Sequence, residues 1–330
     1  MKKLKVLVLL PPDDIDCVHF IEALSSDSEL AENVELIFEK VENAYSHMGG
    51  IEIVVCGNIS EELVAEAPLL RWIMFWSAGM DGKVRPDLLE RKLLLTNASG
   101  VHAPNIAEHV FAWMLTFNRQ MDFHFRMQIA GRWERQPLNQ RRGADELTGK
   151  TLGIVGLGRI GEALAKRAKA FDMRVIATKR DIHSRYDSSD IDEIIPMIRL
   201  PDLLAQADHI CIALPYTSET HHLFDAEMLE NCKSGSYLYN IARGKIVHQE
   251  ALIEALKTGK LAGAGLDVFE QEPLPAESEL WELSNVLLTP HSAGLTPHYF
   301  KRTADIFVRN LRRYLDNQPL ENLYREDRGY

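Results

Sequence analysis

Apolar residues fall along this chain in two rhythms. In the first hundred residues they come as short runs, "LKVLVLL", "VELIF", "IEIVVC", "RWIMFW" and "KLLLTN". Between several of these lie polar stretches with helical spacing, such as "SEELVAEAPLL". Near-continuous apolar runs alternating with helices predict parallel strands buried on both faces. From Pro104 to about Ala130 the pattern lengthens into an amphipathic stretch whose core reads "NIAEHVFAWMLTFNRQM", and Pro104 suits a helix start. An irregular polar segment follows, "RWERQPLNQRRGADELTGK". A second alternating series begins at Thr151. "TLGIVG", "MRVIATK", "HICIAL", "SYLYNI", "LAGAGLDV" and "NVLLTP" are six strand candidates, as a complete dinucleotide-binding sheet uses. "PHYFKRTADIFVRNLRRYL" predicts a final helix. No solenoid-length repeat or low-complexity tract interrupts these series.

Composition narrows the picture. A length of 330 residues suits two domains, and 46% hydrophobic residues fill their cores. Lys and Arg total 37 against 48 Asp and Glu, a net charge of -11, which argues against broad nucleic-acid binding. Small anions can still bind a local basic pocket. Cys17, Cys56, Cys211 and Cys232 form no C-x-x-C pair; Cys56 and Cys211 sit in apolar runs and read as core, so a reducing cytoplasm is expected. The N-terminal "MKKLKVLVLLPPDD" imitates a signal peptide, but its apolar run is short and acid follows it, so it reads as a first strand. No stretch reaches the apolar length of a membrane span. His221 and His222 are adjacent rather than four apart and read as a solvated pair, so no metal is expected. Trp72, Phe75 and Trp76 crowd one strand and read as core, with Trp76 also placed to line a pocket. "RRYLDNQPLENLYRED" reads as a solvated C-terminal end.

The chemistry concentrates in the second half. "LGIVGLGRIGEALAKRAKAF" puts Gly156, Gly158 and Gly161 after a strand and at the start of a helix. Glycines there permit the tight turn, the approach of a pyrophosphate and close helix–strand packing, while the helix N-terminus attracts the anion. Downstream, "NIARGKIV", "GLDVFEQEP" and "TPHSAG" place Arg243, Glu272 and His291 at strand ends or in the following loops, where open α/β sheets bind ligands. Alone, each has an ordinary reading: a surface ion pair, a solvated acid, a loop histidine. Together, after the glycine fingerprint, they match the reduction of a 2-keto acid. Histidine can deliver the proton, a carboxylate can fix its tautomer, and arginine can bind the substrate carboxylate and polarise the carbonyl.

These blocks, with "SGVHAPNIAEHVFAWML", "ELTGKTLGIVGLGRIG" and "LPYTSETHHLF", resemble the D-isomer-specific 2-hydroxyacid dehydrogenases over nearly the whole chain. The resemblance implies an α/β fold of two Rossmann-like or flavodoxin-like domains with parallel sheets and an active site in the interdomain cleft. Residues 1–100 plus 297–330 would bind substrate, and 101–296 would bind nucleotide. It implies that Arg243 binds substrate, Glu272 orients, and His291 donates the proton. In "SAGMDG", Ala78 and Gly79 would hold the substrate carboxylate through their amides, beside Trp76. The cofactor would be met by Gly156, Gly158, Arg159, Ile160 and Gly161 at its phosphates and by Thr178, Lys179 and Arg180 at its adenosine end. Further contacts would come from Leu214, Pro215, Thr220, Ile241, Ala242, His291 and Gly294, with Asp267 near the nicotinamide carboxamide. Glu272 separates the chain from formate dehydrogenases, which place glutamine there. No extra C-terminal regulatory domain is expected after the last helix, unlike in many phosphoglycerate dehydrogenases.

The activity implied is NAD(P)H-dependent reduction of a small 2-keto acid, of glyoxylate or hydroxypyruvate type, to the D-2-hydroxy acid. A second reading is a nucleotide-sensing scaffold like the C-terminal-binding corepressors, with little turnover. The strand "VIATKRD" ends in Lys179 and Arg180 where NAD-specific relatives carry a carboxylate. Two cations attract the 2′-phosphate, and Thr178 adds a hydroxyl, so NADP(H) is the preferred cofactor and NAD(H) a possible one. The alternative is that Asp181, slightly displaced, binds the ribose. The family is commonly dimeric through its nucleotide-binding domain, and "HVFAWMLTF" is apolar around much of its helix, so a homodimer is expected.

Overall fold

Five apolar runs of the first hundred residues form strands: β1 (Leu4–Val8), β2 (Val34–Phe38), β3 (Ile53–Cys56), β4 (Trp72–Phe75) and β5 (Leu94–Asn97). They make an all-parallel sheet in the order β2-β1-β3-β4-β5. The structure, a computed structural model, describes residues 3–80, 82–135, 144–180 and 188–326. It divides into two units, Met1–His102 with Thr296–Tyr330, and Ala103–Leu295.

In the first unit every residue of β3 and β4 is buried, which explains why those segments are apolar without alternation. The helices Cys17–Ser25 and Tyr299–Leu315 pack Phe20, Leu24, Ala304, Phe307 and Leu311 into one core with Trp72. Trp72 stacks between Phe307 and Tyr314 and donates its indole N–H to Thr96 Oγ1 at 2.8 Å, so its one polar atom is satisfied inside. Arg312 of the last helix forks onto Asp27 and reaches Glu29 at 2.7 Å. The hydrogen bonds from Arg312 hold the Asp27 carboxyl below its ordinary range.

The second unit has seven parallel strands: β6 (Thr151–Val155), β7 (Arg174–Lys179), β8 (Glu193–Pro196), β9 (His209–Ile212), β10 (Ser236–Asn240), β11 (Leu261–Leu266) and β12 (Val286–Leu288). Their order is β12-β11-β10-β9-β6-β7-β8. The order in which strands are added reverses between β6 and β9, the switch point at which such sheets bind nucleotides. The seventh strand, β8, has no strong signal in the sequence. Its four residues lie at the sheet edge, and only Ile195 is buried, so pairing with β7 rather than pattern defines it.

The long amphipathic stretch is two helices, Ala103–Asn118 and Met121–Ile129. Gln120 between them takes a left-handed backbone, φ 56°, which ends the first helix. The apolar circumference of Ala103–Asn118 is consumed within its own unit, which corrects the reason for expecting it at a dimer interface. Phe117 stacks on Tyr237, Trp113 on Tyr239, and Phe111 on Phe171. The shorter helix and the segment after it carry the exposed apolar side chains instead, with Phe125 at 54%, Ile129 at 88% and Trp133 at 96%. All four cysteines are free and buried. Among the described residues, no helix is long and apolar enough to cross a membrane.

Candidate active site

The carboxyl ends of the second sheet present the candidate residues in spatial order. His291 follows β12, Asp267 and Glu272 follow β11, Arg243 follows β10, Leu214 follows β9, the glycine loop follows β6, and Lys179 ends β7. Parallel pairing alone therefore gathers residues more than a hundred positions apart along one edge.

Glu272 and His291 meet. His291 Nδ1 lies 2.8 Å from Glu272 Oε2, while the amide of Phe269 donates to Glu272 Oε1 at 3.0 Å. Both carboxylate oxygens are thus engaged. A carboxylate can only accept, so Nδ1 carries the hydrogen and Nε2 is the nitrogen left for chemistry. The His291 and Glu272 side chains are 52% and 36% exposed. His291 has a left-handed backbone, φ 51°, rare outside glycine. Its amide is pinned to the carbonyls of Asp267 and Thr289 at 2.9 and 3.0 Å.

Asp267 holds this loop from behind. It is 3% exposed, and its carboxylate accepts from Ser292 N, Ala293 N and Thr289 Oγ1. His109 completes the support, with Nε2 3.1 Å from Thr289 Oγ1. Thr289 has one proton and gives it to Asp267, so His109 Nε2 is the donor in that contact. Burial lowers the His109 pKa, opposed in part by Asp267. Nothing in the sequence singled out His109 or Thr289; their tie exists only once the helix lies beside β12.

Arg243 is half-buried, and its Nη1 donates to Ala242 O at 2.8 Å. The buried Asn240 side chain accepts from Ala242 N and donates to Arg243 O, fixing the loop that carries the guanidinium. Ile241 and Ala242 are each 7% exposed beside it. In the first unit, the Ser77 hydroxyl donates to Gly79 O, and among the described residues the amides of Ala78 and Gly79 meet no acceptor. Trp76 packs over Gly57 and against Phe300, and its carbonyl accepts from Tyr299, so much of its ring is structural.

The glycine loop fits a dinucleotide. Gly156 has φ 105°, and a side chain there would meet Ala213 O at 2.9 Å. At Gly161 a Cβ would meet Gly156 O at 2.9 Å, whereas at Gly158 it would meet nothing within 4 Å. Two glycines thus serve close packing, and the third leaves open space before the helix Arg159–Ala170, whose N-terminus has no side-chain cap. The amides of Arg159 and Ile160 begin that helix, where an anion is stabilised.

Two residues expected on the cofactor face inward. Thr178 is fully buried and accepts from Gly156 N at 3.0 Å, so its hydroxyl shapes the glycine loop rather than meeting a phosphate. Thr220 is 6% exposed and donates to Pro215 O, closing its own turn beside the exposed Pro215 and half-buried Leu214. Gly294, half-buried, follows the Asp267-bound amides. Lys179 is half-buried; Arg180 is exposed and pairs with Glu219 at 3.1 Å. Asp181 lies outside the described residues. His222 is not a merely solvated histidine. It pairs with Glu270 at 3.0 Å.

Known proteins supply the remaining comparison. Residues 111–293 match the model of the D-isomer specific 2-hydroxyacid dehydrogenase NAD binding domain. The glyoxylate reductase of Thermofilum pendens is 39% identical over 256 residues, 77% of this chain and 74% of that protein. A D-isomer specific 2-hydroxyacid dehydrogenase family protein of Aeromonas salmonicida superposes with a TM-score of 0.78 at 34% identity, covering 98% of this chain and 99% of that one. The NADPH-dependent glyoxylate/hydroxypyruvate reductase of Sinorhizobium meliloti, solved with NADP and sulfate, gives a TM-score of 0.78 at 25% identity, covering 99% of this chain and 100% of that one.

Proposed function

The chain belongs to the D-isomer specific 2-hydroxyacid dehydrogenases, a family of NAD(P)-dependent oxidoreductases, and from that premise we propose that it reduces a small 2-keto acid of glyoxylate or hydroxypyruvate type to the D-2-hydroxy acid. The Glu272–His291 pair at 2.8 Å carries this reading. It leaves one imidazole nitrogen for the carbonyl oxygen and commits the other to a carboxylate that cannot itself act as the acid. A bound nicotinamide supplies the hydride. Arg243 binds the substrate carboxylate and polarises the adjacent carbonyl. Glu272 fixes the tautomer of His291 and balances the charge of its imidazolium, and Nε2 delivers the proton to the carbonyl oxygen. Gly156, Gly158, Arg159, Ile160 and Gly161 would hold the pyrophosphate of a bound dinucleotide, while Asp267 keeps the His291 loop in place from behind.

NADPH is the preferred donor in this proposal. Lys179 and Arg180 stand at the end of β7, where the adenosine ribose is read, and cations there favour a 2′-phosphate. The Sinorhizobium meliloti relative was solved with NADP. The enzyme acts as a homodimer in the cytoplasm, on the strength of the exposed Phe125, Ile129 and Trp133 and of four unpaired thiols. The decisive experiment follows NADPH consumption by the purified protein with glyoxylate, hydroxypyruvate and pyruvate. Tight cofactor binding without turnover of any keto acid would support a nucleotide-sensing scaffold instead.

A further inference from the structure

His222 touches both loops that carry the proposed chemistry. Its backbone amide donates to Lys245 O at 2.8 Å, two residues beyond Arg243. Its ring Nε2 lies 3.0 Å from Glu270 Oε1, two residues before Glu272. The same Glu270 oxygen accepts from Gln249 N at 2.9 Å, the first residue of the helix Gln249–Thr258. Between these links the chains are in direct contact. A Cβ on Gly244 would lie 1.9 Å from the carbonyl of Phe269 and 2.5 Å from Glu270 N, so only glycine lets the Arg243 loop sit on the Glu272 loop. His222 is held in turn: its ring stacks on His221 at 4.0 Å and meets the edge of His248 at 4.9 Å. The Tyr216 hydroxyl reaches His221 Nδ1 at 3.2 Å. His222 also takes a left-handed backbone, φ 49°, which aims amide and ring at two different loops.

We propose that His222 and Glu270 form a positioning pair that fixes the Arg243 loop relative to the Glu272 loop, and so sets how the substrate carboxylate is presented to His291. The proposal rests on the keto acid reductase reading above. Hydrogen bonding to a charged partner steadies the contact. With each side chain about one-third exposed, loss of the pair costs about five- to twentyfold in kcat/KM for the keto acid. Neither residue touches the reacting atoms in this scheme; both act through Arg243 and Glu272.

The test uses His222→Asn, Glu270→Gln and the double variant of the full chain. Asparagine tolerates the left-handed backbone while removing the ring donor, and glutamine keeps an acceptor for Gln249. Each single variant lowers kcat/KM for the keto acid, mainly through KM. The double variant is no worse than His222→Asn alone, because Glu270→Gln takes the charge from the contact that His222→Asn already removes. The NADPH dissociation constant, measured by fluorescence without keto acid, stays within about twofold, since the pyrophosphate loop follows another strand. Wild-type kcat/KM in both single variants, multiplying losses in the double, or an equal loss of NADPH binding would each overturn the pair's role. A wild type that turns over no keto acid would instead overturn the reductase reading, and this inference with it.

Discussion

Replacing the two cations at the end of β7 by Lys179→Asp with Arg180→Ala should abolish or reverse the cofactor preference. Arg180 is 52% exposed and its partner Glu219 78% exposed, so their contact contributes at most about 1 kcal/mol. A 2′-phosphate brings more negative charge and can replace Glu219. Charge-assisted hydrogen bonds are worth about 1.5–3 kcal/mol each, and exposure favours the lower end. Two such bonds less the surrendered Glu219 contact leave about 2 kcal/mol, roughly a thirtyfold preference for NADPH in the wild type. The double variant loses these bonds and places a carboxylate where the ribose hydroxyls of NADH can donate, so its ratio falls to about one or below. Glu219→Gln, which removes the competing carboxylate, should raise the preference a few-fold. The assay is kcat/KM for both cofactors at fixed keto acid, repeated at higher salt, where screening should shrink the wild-type ratio. A wild type that favours NADH, or a double variant with an unchanged ratio, refutes the assignment and returns the ribose to Asp181.

Other outcomes follow from the same geometry. His291→Gln should lower kcat about 10²- to 10⁴-fold, the range of a lost general acid, with near-normal turnover fatal to the mechanism. Gly156→Ala forces a Cβ against Ala213 O at φ 105° and should abolish NADPH binding in a fluorescence titration. His209 is fully buried beside Tyr239, and burial brings its pKa down to about 4 from 6.5. Its unfolded form binds a proton first, so folding stability is present above pH ~6.5 and declines as pH falls toward 4. The loss is on the order of 3 kcal/mol, and denaturant melts of His209→Gln should show a flatter acid limb. Light scattering should report a dimer that Ile129→Glu with Trp133→Glu dissociates; a monomeric wild type would count against the interface.

The order of elements and the chemical vocabulary were legible in the sequence because both depend on short-range pattern. Buried parallel strands must be apolar throughout, which made β1 to β7 and β9 to β12 readable as runs. The glycine spacing is local as well: a positive φ and a close helix–strand approach are demands on single residues, met within six positions. Glu272 and His291 were legible as types suited to a reaction. The weak spots were equally physical. The four-residue β8 takes its identity from β7, and the break at Gln120 rests on one backbone angle rather than on composition.

Direction and partnership were decided by the tertiary structure. Thr178 reads as a cofactor donor until β7 pairs with β6 and turns its hydroxyl to Gly156 N. The apolar helix Ala103–Asn118 reads as an interface until its aromatic side chains are found stacked inside its own unit. His109, Thr289 and Asp267 are far apart in the chain and become one support for His291 through packing alone. His222 and Glu270 reach each other because Gly244 lets two loops touch. A sequence fixes which side chains exist and how the backbone bends locally. Which of two faces a hydroxyl presents, and which distant carboxylate meets a histidine, depends on non-local contacts that form only when the sheet assembles.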